Sequence, residues 1–410
     1  MKLKKFNYID NQEILAAKRV LKSGVLSDFL GSKDENKNNR FLGGKYVKKL
    51  EEKWCKFYKV KHAISVNSWT SGLMIAVGAL DIEPGDEIIV PTWTMCATAT
   101  SILHWNAIPV FADIDPNTFC IDTKKIIKLI NKNTKAIITV DIFGHGSEID
   151  ELRKIAKKYK LKIISDSAQT PYSFYKNKLI GTHFDIGGYS LNTHKHIQTG
   201  EGGILVTNNS YLAKKMRMLR NHGEAIAGTN KKELINMLGS NFRMTELIAA
   251  IAIEQLKKLK KIVKKINYNC NLLNNSLSKL KGLETPIVKK NFTHSYYVYA
   301  IKINNRQIGV SRNKIYKELE KFKLDFISKG YQLVHELPLY QKKIAYGSKG
   351  FPWSFKKNKI SYSKNICPNA KKLHENIICI EMCKYDFNKK DIQFLISIFQ
   401  KVWKKLKIQK

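Results

Sequence analysis

From about residue 60 the chain alternates short β-type apolar runs with stretches of helical spacing, and few architectures accommodate that alternation. "HAISVNS" (His62 to Ser68), "DEIIVP", "AIPVFADI", "KAIITVDIF", "LKIISDS", "DIGGYSL" and "GILVTN" have the length and composition of strands. "TSGLMIAVGAL", "TATSILHW" and "EIDELRKIAKKY" carry helical periodicity. Strands apolar on both faces and separated by helices predict a mainly parallel central sheet with helices on both sides, an α/β fold. Sites in such sheets gather at the C-terminal ends of the strands.

Ile248, Ala252, Leu256, Leu259, Val263 and Ile266 recur at spacings of three and four, which predicts a long helix from near Met244. It should lead out of a large domain, residues 1–260, into a smaller C-terminal α+β domain, residues 261–410, where "HSYYVYAIKI" reads as a strand. Two domains also suit a chain of 410 residues, which exceeds the usual limit for one core. Gln341 to Lys359, rich in Lys, Gly, Pro and Trp, reads as a long loop, and no internal repeat is visible.

A hydrophobic content of 43% with 10% aromatic residues excludes disordered and fibrous classes. No apolar run reaches membrane-spanning length and the first residues lack a signal-peptide core, so a cytoplasmic enzyme is expected. Seven scattered cysteines without metal-site spacing predict free thiols and no metal. The formal charge of +38 admits an acidic partner such as nucleic acid. It comes almost wholly from lysine in runs such as "LKKLKKIVKK", the pattern of solvated helix faces, with mild attraction for a nucleotide-linked substrate.

Four landmarks fall near the ends of the expected strands: "NSWTSG", "DSAQ", Ser190 with Lys195, and "GEGG". Each alone is ordinary. Together they meet the needs of pyridoxal phosphate, which takes an amine for a Schiff base, an anion opposite its ring nitrogen and donors for its phosphate. Lys195 offers the first, Asp166 the second, and Thr70, Ser71 and Ser190 the third, at a helix start where unpaired N–H groups favour an anion.

These residues carry a family resemblance. "PGDEIIVPTWTMCATATSILHWNAIPVFADIDPNTFCID", "DSAQ", the pattern S-x-x-x-x-K-H-I-x-T-G-E-G-G, "RNHG" (Arg220 to Gly223) and "NFRMTELIAAIAIEQL" occur in the order of the DegT/StrS-type sugar aminotransferases. The chain resembles that family from about Phe41 into the long helix, and more loosely to its end. The resemblance implies a pyridoxal-phosphate enzyme of fold type I that aminates a keto-sugar, usually nucleotide-linked, with glutamate or glutamine as donor. It implies Lys195 as Schiff-base and proton-carrying residue, Asp166 at the ring nitrogen and Gln169 at the ring hydroxyl. It also implies that Asn241 reaches the phosphate of a neighbouring subunit in a homodimer. His194, His196, Trp93 and Arg243 are the candidates for substrate contact.

Two positions depart from the family: Trp69 stands where glycine is usual, and Met95 where an aromatic ring often covers the cofactor, a place Trp93 is near enough in sequence to serve. Related dehydratases carry histidine in place of the lysine. Counting five residues from Ser190 lands on Lys195, with "HIQTGEGG" fixing the frame, which favours the aminotransferase. The alternatives are a pyridoxal-phosphate sugar dehydratase and a non-catalytic regulatory or nucleic-acid-binding relative.

Overall fold

The computed structural model of the chain describes residues 3–6, 8–30, 40–223, 237–355 and 360–408. Its larger sheet takes β1 (His62–Val66), β2 (Glu87–Pro91), β3 (Ile108–Ala112), β4 (Thr134–Val140) and β5 (Lys162–Asp166). After a hairpin of β6 (Phe174–Tyr175) and β7 (Lys178–Leu179), it is completed by β8 (Ile186–Ser190) and β9 (Gly203–Thr207). The order across the sheet is β1-β9-β8-β5-β4-β2-β3. Neighbours from β8 to β3 are parallel, while β9 is antiparallel to both β8 and β1. β1 therefore runs the same way as β8, and β1, β2, β4, β5 and β8 all end at one edge.

The helices of this part are α1 (Asn11–Ser23), α2 (Lys45–Tyr58), α3 (Trp69–Gly78), α4 (Cys96–Leu103), α5 (Thr123–Ile127), α6 (Ile149–Tyr159), α7 (Ser210–Arg220) and α8 (Glu246–Leu277). Both sheet faces are buried. Along β2, Ile88 and Val90 enter a core with Leu73 of α3 and Ile102 of α4, whereas Ile89 packs with Leu152 and Ile155 of α6. Each such side chain contributes about 1.5–3 kcal/mol through burial.

The long helix expected near Met244 is α8, which begins at Glu246 because Thr245 caps it, its side chain accepting from Ile248 N. Glu246 has a second task. The cap residue of α2, Gly44, has no side chain to offer, and Glu246 Oε2 instead accepts from Tyr46 N at 2.6 Å. A carboxylate thus meets the positive end of α2, an arrangement that stabilises a helix start.

A second sheet holds β10 (Leu283–Glu284), β11 (Val298–Ile303), β12 (Ile327–Ser328) and β13 (Ile377–Glu381) in the antiparallel order β10-β11-β13-β12, backed by the C-terminal helix Lys389–Lys405. The boundary expected at residue 260 falls inside α8. The first residues also cross to this second part: Phe6 N donates to Lys384 O at 3.1 Å and Asp386 N to Lys4 O at 2.8 Å. Among the described residues no helix is long and apolar enough to cross a membrane.

Candidate active site

The shared strand edge opens on a cavity of about 380 Å³ whose wall includes Thr70, Met95, Thr98, Asp166, Gln169, Ser190, His194 and Lys195. Asp166 is the last residue of β5 and Ser190 the last of β8, so the sheet itself fixes their separation. Lys195 sits on the loop between β8 and β9. Leu191 N donates to Gly202 O and Thr193 N to Gly200 O, both at 2.9 Å, folding the loop back on itself. Asn192 Nδ2 fastens it to Glu201 Oε1 at 2.9 Å. Gly200 has φ +80°, a conformation that side chains disfavour, which accounts for the glycine before Glu201.

Asp166 is buried, with Oδ1 accepting from Trp69 Nε1 at 2.7 Å and Oδ2 from Thr98 Oγ1 at 2.9 Å. Burial pushes its carboxyl above the ordinary value; the donors and the charge of Lys195 pull the other way. Burial brings the Lys195 ammonium down to about 8, with the charge of Asp166 opposing. Its Nζ lies 4.2 Å from the ring centre of Tyr297, a cation–π contact. No ion pair within 4.0 Å joins either Lys195 or Asp166 to a described residue. Across this cavity, a buried acid and a partly desolvated amine each lack a close counter-charge.

Helix α3 starts one residue earlier than "TSG" suggests. Ser68 is the cap, its Oγ accepting from Ser71 N at 3.0 Å, and Trp69 is the first helical residue because its ring is buried against the sheet. Ser71 is buried and lies outside the cavity wall, while Thr70 is exposed on it. Met95 caps α4 at the wall, 56% exposed. Gln169 is held from both ends: Oε1 accepts from Phe143 N at 2.7 Å and Nε2 donates to Tyr331 OH at 3.1 Å, leaving one amide hydrogen for the cavity.

The substrate candidates scatter. His194 is exposed on the cavity wall. His196 turns away from it, its Nε2 2.9 Å from Ser295 O, and burial lowers its pKa to about 4, so it is neutral. Trp93 is a core residue outside the wall: its Nε1 donates to Tyr331 O at 2.9 Å and its ring meets the edges of Phe119 and Phe143. Met95 therefore has no replacement from Trp93. Arg243 and Asn241 also lie off this wall, tied together by Arg243 Nε donating to Asn241 Oδ1 at 3.0 Å.

Tyr297 and Tyr331 complete the wall from the second part of the chain. Neither belongs to a local motif, and only the aromatic density of "HSYYVYAIKI" hints at the first. Gln341–Phe355 contributes nothing to the wall; Trp353 anchors it elsewhere, donating to Tyr362 OH at 2.9 Å. Residues 356–359 of that expected loop, and residues 224–236 of the stretch His222 to Leu238, lie outside the described residues.

The wall fits pyridoxal phosphate in kind. A buried carboxylate without a close cation suits a protonated ring nitrogen, an amine of lowered basicity suits an aldehyde, and the start of α3 with Thr70 and Ser190 suits a phosphate.

Residues 33–369 match the model of the DegT/DnrJ/EryC1/StrS aminotransferase family. The chain is 31% identical over 368 residues to the spore coat polysaccharide biosynthesis protein SpsC of Bacillus subtilis, covering 88% of this chain and 91% of that one. It is 34% identical over 300 residues to the GDP-perosamine synthase of Vibrio cholerae, covering 73% and 80%. The solved structure of Helicobacter pylori PseC, an aminotransferase involved in the biosynthesis of pseudoaminic acid, superposes with a TM-score of 0.81 at 26% identity over 98% of this chain and 99% of that chain.

Proposed function

This chain belongs to the DegT/DnrJ/EryC1/StrS aminotransferase family, with its type I fold, and we propose that it transfers an amino group from glutamate or glutamine to a keto-sugar carried on a nucleotide. The product is an amino sugar destined for a surface polysaccharide. Aminotransferases of this family work with pyridoxal phosphate, and the observation that carries its assignment here is the pairing of Lys195 and Asp166 on one cavity wall, each without a close counter-charge.

When bound, pyridoxal phosphate supplies an aldehyde that joins an amine and a ring that accepts electrons. Lys195 provides that amine. With a pKa near 8, roughly a tenth of it is uncharged at pH 7, so its Nζ takes up and returns a proton near neutral pH. Asp166 holds a proton at the ring nitrogen, fixed in orientation by Trp69 and Thr98. Thr70 and Ser190 with the start of α3 would hold the phosphate, Gln169 with its remaining amide hydrogen would serve the ring hydroxyl, and Met95 would offer an apolar contact to the cofactor. His194 faces the sugar, and Tyr297 and Tyr331 close the cavity against water.

Asn241 is exposed and off its own chain's wall, which supports its assignment, with Arg243 beside it, to the site of a second copy in a homodimer. Seven free cysteines, five of them buried, support a reducing compartment, the cytoplasm. A nucleotide-linked substrate also suits the strong positive charge.

Incubation of the pyridoxal-phosphate-loaded protein with glutamate or glutamine and a panel of nucleotide keto-sugars tests the proposal. An amino sugar detected by mass spectrometry supports it. Loss of a hydroxyl from the sugar would favour a dehydratase, and no conversion of any keto-sugar would count against the substrate class.

A further inference from the structure

Trp69 occupies the place where the cavity floor meets the sheet. Its indole is buried, and room for it is made by absent side chains: a Cβ at Gly188 of β8 would lie 1.9 Å from Cζ3, and one at Gly72 2.6 Å from Cε3. The indole N–H has a single hydrogen to give and gives it to Asp166 Oδ1 at 2.7 Å. On the other oxygen, Thr98 Oγ1 donates its hydrogen at 2.9 Å and so must accept from Thr94 Oγ1, also at 2.9 Å. The carboxylate plane is thereby set by two side-chain donors from α3 and α4, with the longer backbone contact from Ala168 N to Oδ1 at 3.3 Å beside them.

We propose that Trp69 is a positioning residue that orients Asp166 and keeps it ionised for the ring nitrogen of the cofactor, with Gly188 as the cut-out that admits the indole. The inference rests on the reading that this cavity takes pyridoxal phosphate. A side chain filling space alone has no need of an N–H on the acid, and a buried N–H aimed at a buried carboxylate stabilises the charged form. Three other groups act on Asp166 through charge: Lys195 favours the anion, Asp141 beyond β4 disfavours it, and Tyr331 approaches from the second part of the chain.

The test compares Trp69→Phe, which keeps most of the bulk and loses the donor, with Trp69→His, which keeps a ring N–H. Two readouts are pyridoxal phosphate affinity by fluorescence titration and the pH midpoint of the bound cofactor's visible absorbance. Without the N–H the carboxylate is more basic and draws the ring-nitrogen proton toward itself. The ring is then less electron-poor, and the Lys195 nitrogen joined to it keeps its proton to higher pH. We expect Trp69→Phe to bind about tenfold more weakly with its midpoint moved upward, and Trp69→His to lie nearer the parent in both. A Trp69→Phe protein equal to the parent in affinity and midpoint overturns the proposal, as do two variants that behave alike. If the parent itself takes up no pyridoxal phosphate, the reading of the site fails and this inference falls with it.

Discussion

Gln169 Nε2 donates to Tyr331 OH at 3.1 Å, so a residue following β5 of the large sheet is held by one that belongs to the second part of the chain. The cavity wall is therefore built across two parts of the protein, and its geometry depends on both. Tyr331→Phe removes the acceptor that steadies the amide. A neutral hydrogen bond contributes about 0.5–1.5 kcal/mol, so a loss of roughly twofold to tenfold in pyridoxal phosphate affinity is expected. Equilibrium titration of the purified variant measures it.

Lys195 carries a cost for the fold. Its pKa near 8 in the folded chain, against 10.5 for an exposed lysine, is set by burial. Below pH 8 both folded and unfolded chains hold the proton and the folded one bears the penalty, about 3 kcal/mol. Between pH 8 and 10.5 the folded chain releases its proton first and the penalty fades. Lys195→Met should accordingly raise the stability of the cofactor-free protein by about 1–3 kcal/mol at pH 7, with a smaller gain at pH 10. Urea unfolding at the two pH values checks both sign and trend.

Arg220, in "RNHG", is wholly buried, with Nη1 2.7 Å from Glu51 Oε1 and 3.1 Å from Ser65 O. Glu51 also accepts from Ser65 N at 2.9 Å, so this pair pins α2 and α7 to β1. Arg220→Leu removes the close partner of a buried carboxylate, leaving only Arg217 at 4.0 Å, and should destabilise the chain by up to about 3–5 kcal/mol. Replacing both residues together, as in Glu51→Leu with Arg220→Leu, should recover part of that loss, measurable by denaturant unfolding.

Trp353 is buried, and Tyr362, to which it donates, passes a hydrogen bond on to Pro109 O at 2.7 Å. Trp353→Ala should cost about 3–5 kcal/mol by opening a cavity, while pyridoxal phosphate affinity at a permissive temperature stays at the parent value. Thermal unfolding and cofactor titration on the same sample separate the two effects.

The strands are legible because "IIV" (Ile88 to Val90) and "AII" (Ala136 to Ile138) are short apolar runs of strand length set between helical stretches, the pattern of a sheet buried on both faces. The direction of β9 is not, since "GILVT" has the same apolar content whichever way it pairs. Lys195, Asp166 and Ser190 stood out through spacing at strand ends. Tyr297, Tyr331 and the crossing of residues 4–6 to 384–386 left no local mark, being contacts between distant parts of the chain. That α3 starts at Trp69, one residue before "TSG", has no local mark either, because the space its ring fills is made by Gly188, a residue far along the chain.

Borohydride reduction of the protein loaded with pyridoxal phosphate, followed by peptide mass mapping, addresses the catalytic assignment most directly. The cofactor should be found fixed to the peptide that contains Lys195, and to no peptide in Lys195→Ala. Label on another lysine, or equal labelling of the parent and that variant, would contradict the account.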